Sequence, residues 1–470
     1  MAPGTPREFS GKGHSPPLLP WRHGGKTSGT AVSGRELDPT IFAARRDAFM
    51  RAIGPNAVAV IHSLPERLRN GDAYHAFRQI SDVIYLTGFT EPETTLVIRP
   101  GAETERVVMF VRPRDRDMEL WEGRRAGLEG ARERFGADAA YPAAELPGKL
   151  FELIANCDEL HYSFGLDEEM DLLVASALHR LRKLEKRGKR PPRAIFDLRV
   201  ALHELRLHKR PEELAALRKA AAISSEAHVL AMHTGRPGVF EHEIEAVVNY
   251  TFRRHGGGGP GYTSIVGAGD NATILHYIAN DAAIADGDLV LVDAGCEYDH
   301  YTADITRTWP ANGKFSGPQR AVYELVLATQ KSAIEMARPG VTIDNIHDHC
   351  VRALTAGMID LGLLAGGVDD RIADQTYKRF YMHGTSHWLG LDVHDVGAYT
   401  QGGRARPLAP GMVITVEPGL YIAADAQDVP EHFRGIGVRI EDDVAITETD
   451  PDVLTRACPK EIDDLERACH

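Results

Sequence analysis

Three histidines lie close together in the segment MHGTSHWLGLDVHDVG, which spans residues 382–397. They are His383, His387 and His394, and two aspartates accompany them. Imidazole and carboxylate groups in one short segment indicate a metal site. The zincin pattern is absent, because Gly384 stands where that pattern has a glutamate. Either these histidines are not zinc ligands of that kind, or only some of them bind metal and the other ligands lie elsewhere.

Acidic residues also stand at the ends of apolar runs that are typical of buried strands. One run ends in Asp293, and an antiparallel hairpin of the following length sets Asp304 beside it. A second run ends in Glu417, and Arg439 and Glu441 share one face of a third. Carboxylates in apolar surroundings need a charge partner, and neighbouring carboxylates repel each other. The pattern therefore predicts a cation between them.

The composition of this ligand set favours particular ions. Carboxylate oxygens outnumber imidazole nitrogens, which favours Mn²⁺, with Co²⁺ or Zn²⁺ as alternatives. The set has more ligands than one tetrahedral zinc accepts, and it suits two metal ions bridged by shared carboxylates.

The elements that must position these groups alternate between helix and strand. In the first half, the periodicity predicts a helix over 40–53 and short strands over 57–63, 83–89, 94–100 and 106–113. In the second half, Pro211 suits the first turn of a long helix. Further helices are predicted near 317–337 and 342–361, and strands over 288–295, 303–310, 411–421 and 437–447.

Length and composition predict the domain organisation. A chain of 470 residues exceeds what one core usually supports. We predict a disordered tail over 1–35, an α/β domain over 36–200 and a second domain over 201–470. The glycine run over 256–259 lacks the ending of a phosphate-binding loop, so we interpret it as a flexible rim loop beside a cleft.

Charge and cysteine usage exclude several classes of partner. A net charge of −13 argues against nucleic acid or an anionic membrane surface. No run approaches the roughly 18 apolar residues that a membrane span needs. The five cysteines are scattered and odd in number, which favours a reducing compartment, and hence the cytoplasm, over a disulfide framework.

The combined motifs resemble one family. The spaced set D-A-G-x₈-D-I-T-R-T, H-G-x-x-H-W-L-G-L-D-V-H-D, V-E-P-G-L-Y and V-R-I-E-D-D is similar to the aminopeptidase P branch of the pita-bread metallopeptidases. The resemblance runs from about residue 40 to the C-terminus. It implies an α/β (α+β) fold, in which an N-terminal domain of creatinase/prolidase type precedes a pita-bread catalytic domain.

The resemblance also implies an activity and a role for each matched residue. These enzymes release the N-terminal residue from peptides with proline in second position, through a hydroxide that bridges two divalent metals. The resemblance further implies a homodimer or homotetramer. It implies that Arg439 and Tyr421 contact the network of metal ligands and that Glu417 transfers a proton. His276, His383 and His394 are implied as substrate-facing histidines that do not bind metal, and the implied metal ligands are Asp293, Asp304, His387, Glu417 and Glu441, with Asp304 and Glu441 as bridges.

Two departures and three alternatives remain open at this stage. Ile84 stands where family members often have an aromatic residue that borders a neighbouring subunit's site, and the run 256–259 is richer in glycine than its family counterpart. Prolidase, which cleaves only X-Pro dipeptides, has the same metal set, and some prolidases also hydrolyse organophosphates. A non-catalytic pita-bread binding protein is the remaining alternative, although such proteins have typically lost the ligands that are present here.

Overall fold

The computed structural model describes residues 38–469, so the predicted tail over residues 1–35 lies outside the described residues. The first half of the described chain alternates helices with short strands. Its helices are α1 (Pro39–Ile53), α2 (Ser81–Thr87), α3 (Arg116–Glu122), α4 (Gly127–Glu133), α5 (Leu146–Leu153), α6 (Glu168–Leu184) and α7 (Arg199–Leu207). Its strands are β1 (Ala57–His62), β2 (Leu68–Asn70), β3 (Ala73–Tyr74), β4 (Thr95–Ile98), β5 (Val107–Val111), β6 (Ala139–Pro142), β7 (Glu159–His161) and β8 (Ala194–Phe196).

Six of these strands form a mixed sheet in the order β6-β5-β4-β1-β7-β8. The central strand β1 pairs antiparallel with β4 and parallel with β7. Strands β4 and β5 are buried along their whole length, as the valine-rich predicted strands require. Helices pack on both faces of this sheet, since its two faces belong to separate hydrophobic clusters.

The predicted strand over 83–89 is wrong, because this segment forms helix α2. All but one of its residues are buried, and a short apolar run of this kind is equally compatible with a buried helix and a buried strand. Gly88 ends the helix in a left-handed conformation with φ of 70°. Ile84 is 3% exposed, so its side chain packs into the core of its own chain.

The second half of the described chain contains longer helices and a series of short antiparallel strands. Its helices are α8 (Pro211–Thr234), α9 (Glu241–Arg254), α10 (Gly317–Met336), α11 (Ile343–Asp360), α12 (Val368–Ala373) and α13 (Ile462–Ala468). Its strands are β9 (Gly259–Pro260), β10 (Ile265–Ala268), β11 (Leu289–Asp293), β12 (Cys296–Tyr298), β13 (Tyr301–Thr302), β14 (Thr306–Pro310), β15 (Thr400–Gln401), β16 (Arg404–Ala405), β17 (Val413–Val416), β18 (Gly419–Ile422), β19 (Ile436–Arg439), β20 (Asp442–Ala445) and β21 (Asp452–Val453). As predicted, α8 begins at Pro211, with two glutamates in its first turn.

Two strand pairs follow one another along the chain, and acidic residues lie at the junctions between them. Strand β17 pairs with β20, whereas β18 pairs with β19. The chain therefore leaves one strand pair and enters the other at Glu417 on one side and at Glu441 on the other. A third group, β10-β11-β14, brings Asp293 opposite Thr306. This arrangement places strand-end carboxylates on one side of the catalytic half.

The two halves share a hydrophobic core. One cluster contains Phe49 and Leu86 from the first half together with Leu389 and Val413 from the second. Because these side chains exclude water from each other, neither half buries its apolar surface alone. Within residues 38–469, no helix combines the length and the apolar character that crossing a bilayer needs.

A buried arginine fixes the strands behind the acidic bend. The Arg307 guanidinium donates to Asp442 Oδ1 at 2.7 Å, to the Glu441 carbonyl at 2.5 Å and to the Cys458 carbonyl at 3.0 Å. Lys460 Nζ lies 2.6 Å from Asp442 Oδ2. Burial alone would raise the pKa of Asp442, but Arg307 and Lys460 outweigh it and hold this pKa below its usual range. The ion pair therefore ties β14, β20 and the C-terminal segment together.

Replacement of Asp442 by asparagine tests this tie. We expect Asp442→Asn to lower the free energy of unfolding by about 3–5 kcal/mol, because it leaves the Arg307 charge buried with one partner fewer. The pKa of Asp442 is lowered by folding, so its contribution is complete near neutral pH and is lost as the pH falls below about 4.

Urea unfolding at neutral pH measures this loss, and Glu324→Gln is the matched control. Glu324 forms an exposed ion pair with Arg320 on α10, so its loss is expected to change stability by less than about 0.5 kcal/mol. Equal effects of the two substitutions would contradict the structural role of Asp442.

Candidate active site

The residues that the sequence singled out converge on one cleft of about 500 Å³. Acidic residues and histidines predominate among its polar lining residues. Its lining includes Asp293, Asp304, His387, Glu417, Glu441, His276, His383, His394 and Arg439. Tyr421, the remaining predicted residue, is buried and lies next to His383.

The bends and ends of strands deliver the five predicted ligands to this cleft. Asp293 is the last residue of β11, and Asp304 precedes β14 by two positions. Glu417 and Glu441 occupy the two bends between strand pairs. His387 lies beside β17, because its carbonyl accepts the backbone N–H of Thr415 at 3.0 Å.

Three of the five side chains already have the spacing of a metal site. Single ligand atoms of Asp304, His387 and Glu441 all lie within 4.8 Å of one another. His387 Nε2 lies 3.4 Å from Asp304 Oδ2 and 3.5 Å from Glu417 Oε1. Asp293 lines the same cleft. The structure thus brings together all the groups that were predicted to bind metal.

Tyr262 joins two of these carboxylates, and no sequence pattern indicated this contact. Its hydroxyl lies 2.6 Å from Asp293 Oδ1 and 2.5 Å from Asp304 Oδ1. Burial, followed by the charges of these two aspartates, raises its pKa well above 10.0, so the phenol keeps its proton. Tyr262 follows the glycine run, where Gly257 approaches Cys296 so closely that a Cβ would meet its sulfur. The run therefore permits close packing that brings Tyr262 to the site.

The pKa values of the site show an excess of negative charge. Burial, and then repulsion by Asp304 and Glu417, raises the pKa of Glu441 well above its usual value. Burial likewise raises the pKa of Glu417 to about 7, although His387 opposes this effect. Burial lowers the pKa of His387, but Asp304 and Glu417 outweigh it and raise this pKa to about 9.

These residues fit a pair of divalent cations. Four carboxylates and the imidazole of His387 are the predicted donors in the cleft, and among its described lining residues Arg439 is the single permanent cation. Carboxylate oxygens in this number suit hard divalent ions, and bound cations would remove the repulsion that raises the pKa values. The donor set is larger than one tetrahedral ion requires.

Arg439 links the acidic cluster to His383 through Tyr421. Its guanidinium donates to Asp293 Oδ2 at 2.7 Å, to Thr306 Oγ1 at 3.0 Å and to the Tyr421 hydroxyl at 3.1 Å. The Tyr421 oxygen lies 2.8 Å from His383 Nε2. A chain of hydrogen bonds therefore runs from a carboxylate through Arg439 and Tyr421 to a histidine of the cleft.

The three other histidines of the predicted set also line the cleft. Burial, and then the positive charge of Arg439, lowers the pKa of His383 to about 4, so its ring is neutral near pH 7. The His394 ring centroid lies 4.4 Å from that of His387. Burial and the His387 charge lower the pKa of His394 as well. His276 enters the cleft from the segment that follows β10.

A second arginine holds the loop that carries His394. Arg206 is 3% exposed and pairs with Asp395 at 2.6 Å, with Asp392 at 2.7 Å and with Asp82 at 2.7 Å. Asp82 belongs to α2 in the first half of the chain, whereas the other two aspartates flank His394. The first half therefore helps to position a residue of the cleft, which the sequence did not indicate.

Asp443 is another supporting residue that sequence reasoning missed. It is fully buried, and both of its oxygens lie 3.2 Å from the backbone N–H of Asp304. Burial, followed by repulsion from Asp304, raises its pKa well above 3.8. The available signal was the run of three acidic residues from Glu441 to Asp443.

Comparisons with known proteins agree with this geometry. The model of metallopeptidase family M24 matches residues 215–448, and the model of the aminopeptidase P N-terminal domain matches residues 42–168. The Xaa-Pro aminopeptidase of Escherichia coli (strain K12) is 45% identical over 432 residues, which cover 92% of this chain and 98% of that protein. Human Xaa-Pro aminopeptidase 3 is 34% identical over 445 residues, covering 92% of this chain and 86% of that protein.

Solved structures show the same likeness. The aminopeptidase PepP of Pseudomonas aeruginosa superimposes with a TM-score of 0.90 at 46% identity, covering 92% of this chain and 98% of that chain. A variant of Escherichia coli aminopeptidase P in complex with substrate gives a TM-score of 0.89 at 45% identity, covering 93% and 99%. The chain belongs to metallopeptidase family M24, in its aminopeptidase P branch. The predicted combination of an α/β N-terminal domain and a pita-bread catalytic domain is confirmed.

Metal binding is expected to release protons. Burial and mutual repulsion raise the pKa values of Asp304, Glu417 and Glu441, which favours their protonated forms, and an arriving cation displaces such protons. Calorimetric titration of Mn²⁺ near pH 7, in two buffers with different ionisation enthalpies, is expected to show release of about one or more protons per chain. Affinity is expected to weaken as the pH falls from about 8 to about 6. Heats that are independent of the buffer would contradict the repulsion described here.

Proposed function

We propose that this protein is a metal-dependent aminopeptidase that releases the N-terminal residue from peptides with proline in second position. The observation that carries the proposal is the convergence of four carboxylates and four histidines on one cleft. Among the relatives, the Xaa-Pro aminopeptidase of Escherichia coli matches 92% of the chain, and a related structure holds substrate. The proposed metal ligands are Asp293, Asp304, His387, Glu417 and Glu441.

In the proposed reaction, the metal ions would activate the carbonyl group and a water molecule. Divalent cations held by the five ligands act as Lewis acids towards a carbonyl oxygen and lower the pKa of water. We propose two ions, bridged by Asp304 and Glu441, and we favour Mn²⁺ because oxygen ligands predominate. Asp304 and Glu441 lie in the ligand-spaced triad with His387, which supports their shared position.

The protein's own groups supply proton transfer and orientation. Glu417 lines the cleft with Oε1 at 3.5 Å from His387 Nε2, and we assign it the role of the carboxyl group that accepts a proton and passes it to the leaving proline nitrogen. His394 lies beside His387, where its N–H can donate to the oxygen of the reacting carbonyl. One such donor contributes about 3 kcal/mol of transition-state stabilisation.

The substrate side of the cleft suits an X-Pro bond. A peptide bond to proline has no N–H, so the site needs no acceptor for that group. His383 is neutral and oriented by Tyr421, and His276 lines the same wall of the cleft. The negatively charged carboxylates of the cleft attract the free α-amino group of the substrate, which restricts attack to the first bond.

The setting of the enzyme is part of the same proposal. All five cysteines are unpaired in the structure, which supports a reducing compartment such as the cytoplasm. We further propose that the chain functions as a homodimer or homotetramer, with an N-terminal domain over 36–200 and a catalytic domain over 201–470.

Substrate length separates this function from a prolidase. With Mn²⁺ supplied, we expect kcat/KM for an X-Pro-Y tripeptide to exceed that for the X-Pro dipeptide by about 10-fold or more, since extra residues add binding energy. Steady-state kinetics on the two peptides measure the ratio. Activity restricted to the dipeptide would favour a prolidase, and absence of both metal and activity would favour a binding protein.

Replacement of Asp304 tests the role of the acidic cluster. Asp304→Asn is expected to lower kcat/KM by more than about 100-fold, because even groups that only support metal ligands cost 10–100-fold when they are lost. Asp425→Asn, at an exposed position outside the cleft, is the matched control and is expected to retain full activity. Near-normal turnover by Asp304→Asn would contradict the proposed mechanism.

A further inference from the structure

The wall of the cleft that carries His276 is formed by a loop with little regular structure. We call residues 269–281 the His276 loop. Apart from a short 3-10 helix, Gly269–Thr273, it contains neither helix nor strand. Besides His276, it brings Leu275 and Ile278 to the cleft. Some interaction outside the cleft must hold this loop in place, because regular backbone pairing does not.

Glu241, the first residue of α9, supplies that interaction. Its side chain is 0% exposed, although it carries a carboxyl group. Oε1 accepts the Ala268 N–H at 2.8 Å and the Asn271 side-chain N–H at 3.0 Å. Oε2 accepts the Tyr277 hydroxyl at 2.9 Å and the Ala282 N–H at 2.9 Å. These four donors lie on both sides of His276.

The four bonds match the capacity of one carboxylate. An ionised carboxylate is an acceptor with about four lone-pair sites, and all four donors here are uncharged. The position at the start of α9 favours negative charge, because the N-terminus of a helix carries partial positive charge. One side chain therefore joins the beginning and the end of the His276 loop.

A second contact from the same helix reinforces this arrangement. Asn280 is 1% exposed, and its side-chain N–H donates to Glu245 Oε2 at 2.9 Å and to the Ser264 carbonyl at 2.9 Å. Its Oδ1 accepts the Val266 N–H at 2.9 Å. Glu241 and Glu245 are four residues apart, so they lie on the same face of α9. Two side chains on that face of the helix therefore accept hydrogen bonds from the loop.

The loop has exposed apolar side chains whose position matters for binding. Ile274 and Ile278 are 51% and 59% exposed, and Ile278 lines the cleft. Apolar groups that stay exposed at a cleft mouth gain stabilisation when a ligand covers them. They gain it only if the loop is already in the binding conformation, since ordering the loop on binding costs free energy.

We propose that Glu241 is a positioning residue, which fixes the His276 loop so that His276 and Ile278 meet the peptide. The inference rests on the proposed function for the identity of the substrate. Glutamine at this position keeps the shape, but in either orientation its N–H₂ group faces a backbone N–H, that of Ala268 or that of Ala282, and two donors then oppose each other. The loop loses its attachment on one side, while the metal ligands keep their own supports.

The test compares Glu241→Gln with Glu243→Gln in the full-length, metal-loaded protein. Glu243 is exposed, lies in the same helical turn, and accepts the Phe240 N–H at 3.0 Å. We expect Glu241→Gln to raise KM for an X-Pro-Y tripeptide by about 10-fold, with a change in Mn²⁺ affinity below about twofold. Glu243→Gln is expected to leave KM unchanged. Equal KM values for Glu241→Gln and the unsubstituted protein, or equal effects of both variants, would overturn the proposal.

A second readout is independent of the proposed activity. In protein loaded with diamagnetic Zn²⁺, the δ1-methyl NMR signals of Ile274 and Ile278 are expected to shift and broaden in Glu241→Gln but not in Glu243→Gln. Superimposable methyl signals would overturn the proposal even if the protein cleaved no peptide. If Glu241→Gln does not fold, Tyr277→Phe removes one of the four bonds and is expected to move the same signals and to raise KM by about threefold. Unchanged signals in that variant would also overturn it.

Discussion

The repulsion among Asp293, Asp304, Glu417 and Glu441 is the interaction on which the catalytic half depends. Four carboxylates in one buried cleft are unfavourable unless protons or cations reduce their charge. Burial and this repulsion raise the pKa values of Asp304, Glu417 and Glu441, so protonation of these carboxyl groups is favoured when no cation is bound. Because the carboxylates repel one another, the site binds divalent cations strongly once the protons have left.

Buried arginines make this arrangement possible. Arg439 contacts the acidic cluster directly, Arg307 ties the strands behind it, and Arg206 holds the loop that carries His394. A guanidinium presents five donors in a rigid plane, so one side chain can fix two or three backbone segments at once. Glu241 accepts four hydrogen bonds where the arginines donate them, and it joins a loop to a helix through uncharged donors. The cleft therefore owes its geometry to polar groups outside it as much as to its ligands.

Part of this site could be predicted from the residues themselves, because Asp293 and Glu417 each end an apolar run, and the resemblance to a known family implied the other positions. Asp293 and Glu417 follow valine-rich strands, and a charged residue at the end of a buried strand stands out in the sequence alone. Helix α2 could not be told from a strand, because its side chains are buried on almost every side and show no period. Tyr262, Arg206 and Glu241 were missed for another reason. Their partners are distant in the sequence, and no local pattern records a contact that only the folded chain creates.

An anomalous scattering experiment on crystals of the Mn²⁺-loaded protein tests the central claim most directly. Data collected on both sides of the manganese absorption edge locate each ion without reference to activity. The account predicts two anomalous peaks per chain, both in the cleft, with Asp304 and Glu441 in contact with each ion and His387 in contact with one. A single peak, or peaks that lie away from these side chains, would contradict it.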